Sequence, residues 1–350
     1  MNLEDTIKAI QLFDEATVRA ARARQDSLTK PRGSLGRLEE LSIRLAGMKA
    51  DPFPSVERKA VIVMAADHGV TLESVSAYPM EVTRQMVLNF LRGGAAINVL
   101  ARQANARVTV VDIGVASDFE SLPGLLQRKV MCGTRNLAQG PAMRREEAEQ
   151  ALQVGIDVLH EEAARGLDLV ATGDMGIGNT TSSSAIAVAM TGLPVVQVVG
   201  RGTGIDDEGL ERKIRVIEQA LAVNQPDAND AMDVLYKVGG LEIAGLAGVM
   251  IAAASRRIPI VLDGFISTAS AMVAVGLAPG VREYLIAAHQ SVEIGHRAML
   301  KHLNLLPLLD LQMRLGEGTG AALAFPLIEA SARILREMAT FEEAGVSDKE

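Results

Sequence analysis

The sequence predicts an α/β protein: a three-layer α/β/α arrangement around a mostly parallel sheet of about six strands, with a small helical domain built from both termini. Three observations carry that expectation. Six short runs are near-continuously apolar rather than alternating, which marks strands buried on both faces of a parallel sheet. Helical patterns lie between most of them, and alternating β and α elements stack in layers. Each run also ends in a polar or glycine-rich turn, and ligands of open parallel sheets bind at the carboxyl ends of the strands.

Taken in order, the N-terminal segment MNLEDTIKAI carries two early acids and no apolar core region, so it does not read as a signal peptide. Residues 1–50 read as helices without strands, and Pro52-Phe53-Pro54 marks a boundary. The strand candidates are Ala60–Ala66, Val108–Ile113, Leu167–Thr172, Val195–Val199, Ile258–Leu262 and Tyr284–Ala288. Between the second and third, RREEAEQALQVGIDVLH places apolar or small residues at 148, 151, 152, 155, 156 and 159, a single helical stripe. The stretch from Met175 to Gly200 is 26 uncharged residues, but its Asn179, Thr180, Thr181 and Ser182 to Ser184 would be costly in lipid. It reads as a glycine loop, a helix, a turn and a short strand, not as a membrane span. Residues 290–350 read as helices again, joining 1–50 in the small domain and leaving 51–289 as a large α/β nucleotide-binding domain.

Composition narrows the function. A net charge of −8 argues against nucleic acid, whose binding rests on a basic surface. Apolar residues make up 48% of the chain, enough for a sizeable core. The single cysteine, Cys132, cannot form an internal disulfide and suits a reducing cytoplasm. Aromatics are only 3% while glycines number 32, so the glycines are where chemistry is sought.

GDMGIGNTT, residues 173–181, follows a strand and opens a helix. Its glycines let a ligand approach the backbone, and N–H groups at a helix start attract anions. It lacks the Gly-Lys-Ser/Thr of a P-loop and the third small residue of a dinucleotide fingerprint; the bland alternative is a tight turn with an Asn/Thr cap. GRGTG at 200–204 is a second such turn, with Lys213 about two turns into the following helix. In RLGEGTGAAL, from Arg314, Glu317 stands between two glycines with little bulk beside it. A helix N-terminus would lower its pKa, whereas an aliphatic surround would raise it toward the range of a general base. The alternative there is an acid that satisfies free helix-start N–H groups. Pro326 should kink or delay the helix that follows. Asp263, after a strand, could bind a ribose hydroxyl or cap the next helix. The five histidines show no metal spacing such as H-E-x-x-H, and capping or turn roles fit them better.

LTKPRGSLGRLEEL, AADHGV, SAYPMEVT, GDMGIGNTT, VGRGTGIDDEGL, KVGGLEIAGLAG, VLDGFISTA and MRLGEGTGAALAFPL occur in this order. With them the chain, from about Leu28 to Met338, resembles the nicotinate-nucleotide:dimethylbenzimidazole phosphoribosyltransferase family of cobalamin lower-ligand synthesis. The resemblance implies the three-layer domain, the small helical domain and a homodimer. It implies transfer of phosphoribose from nicotinate mononucleotide to a benzimidazole-type base with inversion to the α-anomer, and release of nicotinate. No cofactor, metal, nucleic acid or membrane partner is expected. The family's catalytic base falls on Glu317, with Asp174 as a second catalytic carboxylate where relatives often have glutamate. Phosphate and ribose contacts fall on Gly176, Gly178, Asn179, Thr180, Gly202, Lys213, Gly264 and Ser291, and the aromatic base near Tyr78 and Met86. Ile294 stands where many relatives have proline. Two competing readings are a metal-dependent or N-ribosyl nucleotide hydrolase using Asp67, His68 and Asp112, and a catalytically silent nucleotide-binding regulator.

Overall fold

A computed structural model describes residues 1–202 and 204–347. Its sheet has six strands: β1 (Lys59–Ala66), β2 (Ala106–Gly114), β3 (Leu125–Gln127), β4 (Leu169–Met175), β5 (Ile260–Leu262) and β6 (Leu285–Ala287). They lie in the order β3-β2-β1-β4-β5-β6, and every pairing is parallel. All eight residues of β1 are buried, as the unbroken apolar run KAVIVMAA requires of a strand covered on both faces.

This is the doubly wound order. The chain runs outward from β1 to β3, then crosses back to continue from β4 in the other direction. Between β1 and β4 the connections part to opposite sides, opening a crevice at the carboxyl ends of those two strands. Asp67 and His68 follow β1 there. Register pairs Met64 with Asp174, so Asp174 belongs to the last pleat of β4 and not to the loop after it.

Five of the six apolar runs are strands. The sixth, Val195–Val199, is not: it holds a short 3-10 turn, Val195–Gln197, entered through Pro194. Proline there fixes φ and cannot donate to a ladder, and Val196 is 61% exposed, so no neighbouring strand covers this run. Its place in the sheet is taken by β3, three residues whose exposed Gln127 hides the apolar signature.

The helix Arg145–Ala164 buries Ala148, Ala151, Leu152, Gly155, Ile156 and Leu159, the stripe expected from spacing. Helices Glu15–Ser27, Arg37–Lys49 and Thr319–Glu337 pack on one another, with Ala21, Ile43, Ala46 and Leu335 at their junction. The helix Thr319–Glu337 is not delayed by Pro326, which lies inside it. Within Met175–Gly200 the helix is only Asn179–Thr191. Among the described residues no helix is long and apolar enough to cross a membrane.

Candidate active site

The GEGTG loop reaches the sheet through a main-chain contact. A Cβ on Gly173 of β4 would overlap the Glu317 carbonyl, so only glycine lets the two segments touch. Gly316, Glu317 and Gly318 all have left-handed backbone, with φ of 84°, 64° and 91°. For glycine this conformation carries no steric cost; for Glu317 it is the kind of local strain found where a side chain is aimed. Glu317 is buried, and its Oε2 has no hydrogen-bond partner among the described residues. Burial pushes its carboxyl up to about 7; the Ile97 backbone pulls the other way, and Asp263 adds to the rise.

Asp263 follows β5 and is buried. Its carboxylate accepts the N–H groups of Gly318 at 3.1 Å, Gly320 at 2.7 Å and Ala321 at 3.2 Å. It is therefore a cap, although not of the next helix: it caps Thr319–Glu337, more than fifty positions away, at the residues that carry Glu317.

Asp174 is buried. Its Oδ2 accepts the Asn179 amide at 3.0 Å. Burial holds its carboxyl well above the usual carboxylate range, and Asp263, Glu242 and Glu317 push it further the same way. Asn179 thus spends one amide proton on Asp174.

The two glycine loops meet at a buried cation. Lys213 donates to Thr180 Oγ1 at 2.8 Å, and a Cβ on Gly202 would lie 2.8 Å from that oxygen and 3.2 Å from Lys213 Nζ. Lys213 is only 1% exposed, and burial lowers its pKa to about 8 against the opposing pull of Glu293. Gly202 donates its N–H to Glu293 Oε1 at 3.0 Å and accepts from Arg314 at 3.2 Å. Thr203 of this loop lies outside the described residues. Gly178, at φ 96°, precedes the helix Asn179–Thr191 and gives it no side-chain cap. Gly176 lies so close to β1 that a Cβ would come 2.5 Å from the Ala66 carbonyl.

Gly264 opens the helix Phe265–Leu277 and sits beside His289 and Ser291. Met86 is half-buried on the helix Glu81–Leu91, one turn from Thr83, whose hydroxyl accepts the Ile177 N–H at 3.1 Å. Tyr78 is 55% exposed on the loop before that helix, so of the two base-pocket candidates only Met86 is partly buried. Ile294 is the exposed first residue of the helix Ile294–His302.

Other residues of the site carry no motif of their own. His68 is fully buried between Ser182 Oγ, 3.0 Å from Nδ1, and Glu242 Oε1, 2.7 Å from Nε2. Only their occurrence in AADHGV and KVGGLEIAGLAG points to them. Asp67 accepts the Ala116 N–H at 2.8 Å, and Asp112 accepts that of Val115 at 2.8 Å. The three side chains of the hydrolase reading are thus engaged separately in the folding of the loops. No group of three or more His, Cys, Asp or Glu among the described residues is placed to hold a metal ion.

The family model for DBI_PRT, described as phosphoribosyltransferase, matches residues 10–346. The chain belongs to this family. A relative from Roseiflexus sp. (strain RS-1), named nicotinate-nucleotide–dimethylbenzimidazole phosphoribosyltransferase, is 60% identical over 347 residues, 99% of this chain and 98% of its own. One of the same name from Geobacter sulfurreducens is 60% identical over 346 residues, again 99% and 98%. Among solved structures, CobT from Thermus thermophilus is 53% identical, covers 95% of this chain and 100% of its own, and superimposes with a TM-score of 0.93. The hydrolase and silent-regulator readings find no counterpart among these relatives.

Proposed function

We propose that this member of the phosphoribosyltransferase family moves phosphoribose from nicotinate mononucleotide to 5,6-dimethylbenzimidazole or a related base, in cobalamin biosynthesis. The observation that carries the reading is the placement of Glu317. A buried carboxylate oxygen, partnerless among the described residues, sits on the loop whose Arg314 donates to the Gly202 carbonyl, and so beside the second of the two glycine loops that, with Lys213, can hold a phosphate monoester.

In this reading a neutral benzimidazole nitrogen attacks the anomeric carbon. The bond to nicotinate breaks, and its electron pair returns to the pyridinium nitrogen, so departure needs no acid. The second benzimidazole N–H gives its proton to Glu317, whose pKa near 7 suits a general base at neutral pH. Lys213 and Thr180 hold the phosphate, with Gly202 leaving room beside them and Gly176 and Gly178 letting it approach the helix start. Gly264 and Ser291 border the ribose. Asp174, engaged by Asn179 and lying against Gly316, assists Glu317 by packing on its loop and does not meet the acceptor. Met86 lines the base pocket with Tyr78 at its rim. The aliphatic surround excludes water that would hydrolyse the same bond.

The active unit in this reading is a cytoplasmic homodimer, supported by the lone Cys132 and by the exposed apolar side chains of Val292, Ile294, Leu311 and Leu315 beside the site. In this reading 1–50 and 290–350 make up its small helical domain and 51–289 the large one, with 203 and 348–350 outside the described residues, supported by the mutual packing of the helices Glu15–Ser27, Arg37–Lys49 and Thr319–Glu337. The test is incubation with nicotinate mononucleotide and a panel of bases, followed by assignment of the product's anomer. An α-ribosyl phosphate with stoichiometric nicotinate is expected; release of free ribose phosphate, with water as acceptor, would defeat the reading.

A further inference from the structure

Gly264 and Ser291 follow adjacent strands, β5 and β6, yet belong to separate turns. One side chain spans them. The Ser291 N–H donates to His296 Nδ1 at 2.8 Å, and His296 Nε2 lies 2.9 Å from Thr268 Oγ1. Thr268 Oγ1 in turn donates to the Gly264 carbonyl at 2.8 Å. All four residues are buried.

The protons can be assigned without ambiguity. A backbone N–H can only donate, so Nδ1 of His296 is bare and a neutral ring carries its proton on Nε2. Thr268 accepts that proton's hydrogen bond and passes its own to Gly264. Burial, and the ring of His289 with its centroid 6.2 Å away, lower the His296 pKa to about 3, so the ring stays neutral where the protein works.

We propose that His296 is a positioning residue: through Thr268 and the Ser291 backbone it fixes the two turns that border the ribose phosphate relative to each other. The proposal rests on the function given above. It also specifies how Ser291 meets a ligand. Its N–H is spent on His296, so the hydroxyl is the group on offer. That oxygen accepts the Glu293 N–H at 3.3 Å, and its own proton has no acceptor among the described residues.

The experiment compares Thr268→Val, Thr268→Ser, His296→Asn and the Thr268→Val/His296→Asn pair. Losing one neutral hydrogen bond in the chain should raise KM for nicotinate mononucleotide about 3- to 10-fold for Thr268→Val and for His296→Asn. Turnover and KM for dimethylbenzimidazole should stay within about twofold. The chain is broken once by either change, so the pair should be no worse than the larger single effect, and Thr268→Ser, which keeps the hydroxyl, should match the unsubstituted protein. Multiplicative effects in the pair, an equal defect in Thr268→Ser, or a fall in turnover with KM unchanged would each overturn the proposal. Calorimetric binding of inorganic phosphate to the same set, expected in the same order, reads the positioning without the reaction. Absence of nicotinate release from the unsubstituted protein would therefore sink the assigned activity, while the phosphate order still decides the role of His296.

Discussion

Gly173 and Glu317 meet through the main chain, so closely that a Cβ on the first would occupy the carbonyl of the second. The two motifs that lie far apart in sequence, GDMGIGNTT and RLGEGTG, are therefore one structural unit. Gly173→Ala should displace the GEG loop: overpacking of this kind costs about 1–3 kcal/mol, and turnover should fall because Glu317 moves with its backbone. Denaturant unfolding and steady-state kinetics check both halves.

The site's two perturbed groups set a pH window. Glu317 must be ionised to accept a proton, so kcat/KM should rise as pH increases through about 7. Lys213 must be charged to hold phosphate, so kcat/KM should fall as pH passes about 8. The product is a narrow bell between the two. Its rising limb should vanish in Glu317→Gln and its falling limb in Lys213→Met.

Asp263 connects the cap to the chemistry. Its charge adds to the elevation of Glu317, so Asp263→Asn should move the rising limb to lower pH. An asparagine oxygen can serve only part of the three N–H groups now satisfied, and the lost capping should cost about 0.5–2 kcal/mol. A pH–rate profile together with thermal melting separates the two effects.

Lys213 is a buried cation without an ion-pair partner in contact among the described residues, which disfavours the folded state until an anion arrives. Lys213→Met should leave the melting temperature equal or higher, yet weaken nicotinate mononucleotide about 10- to 150-fold, the range of a charge-assisted hydrogen bond. Base affinity should change little. Calorimetry with each substrate tests this, and equal weakening of both would remove the phosphate role.

What is legible in the sequence follows from locality. A strand buried on both faces writes its burial into consecutive residues, so β1, β2 and β4 to β6 are readable. Val195–Val199 carries the same apolar signature but lacks a strand beside it, and only Pro194 hints at that. Leu125–Gln127 is too short, and too polar at its end, to signal a strand. In the site, Glu317, Lys213 and the glycines stand out because their motifs are dense. The cap from Asp263 to Gly320 and the bond from His296 to Thr268 link residues through the fold, and no spacing along the chain encodes them.

The central claim is that Glu317 takes the acceptor's proton. Its most direct test is turnover of nicotinate mononucleotide with dimethylbenzimidazole by Glu317→Gln, with the fold checked by circular dichroism. A drop of about 10²–10⁴-fold with unchanged spectrum is predicted, since that is what a positioned base supplies. Near-normal turnover would contradict it.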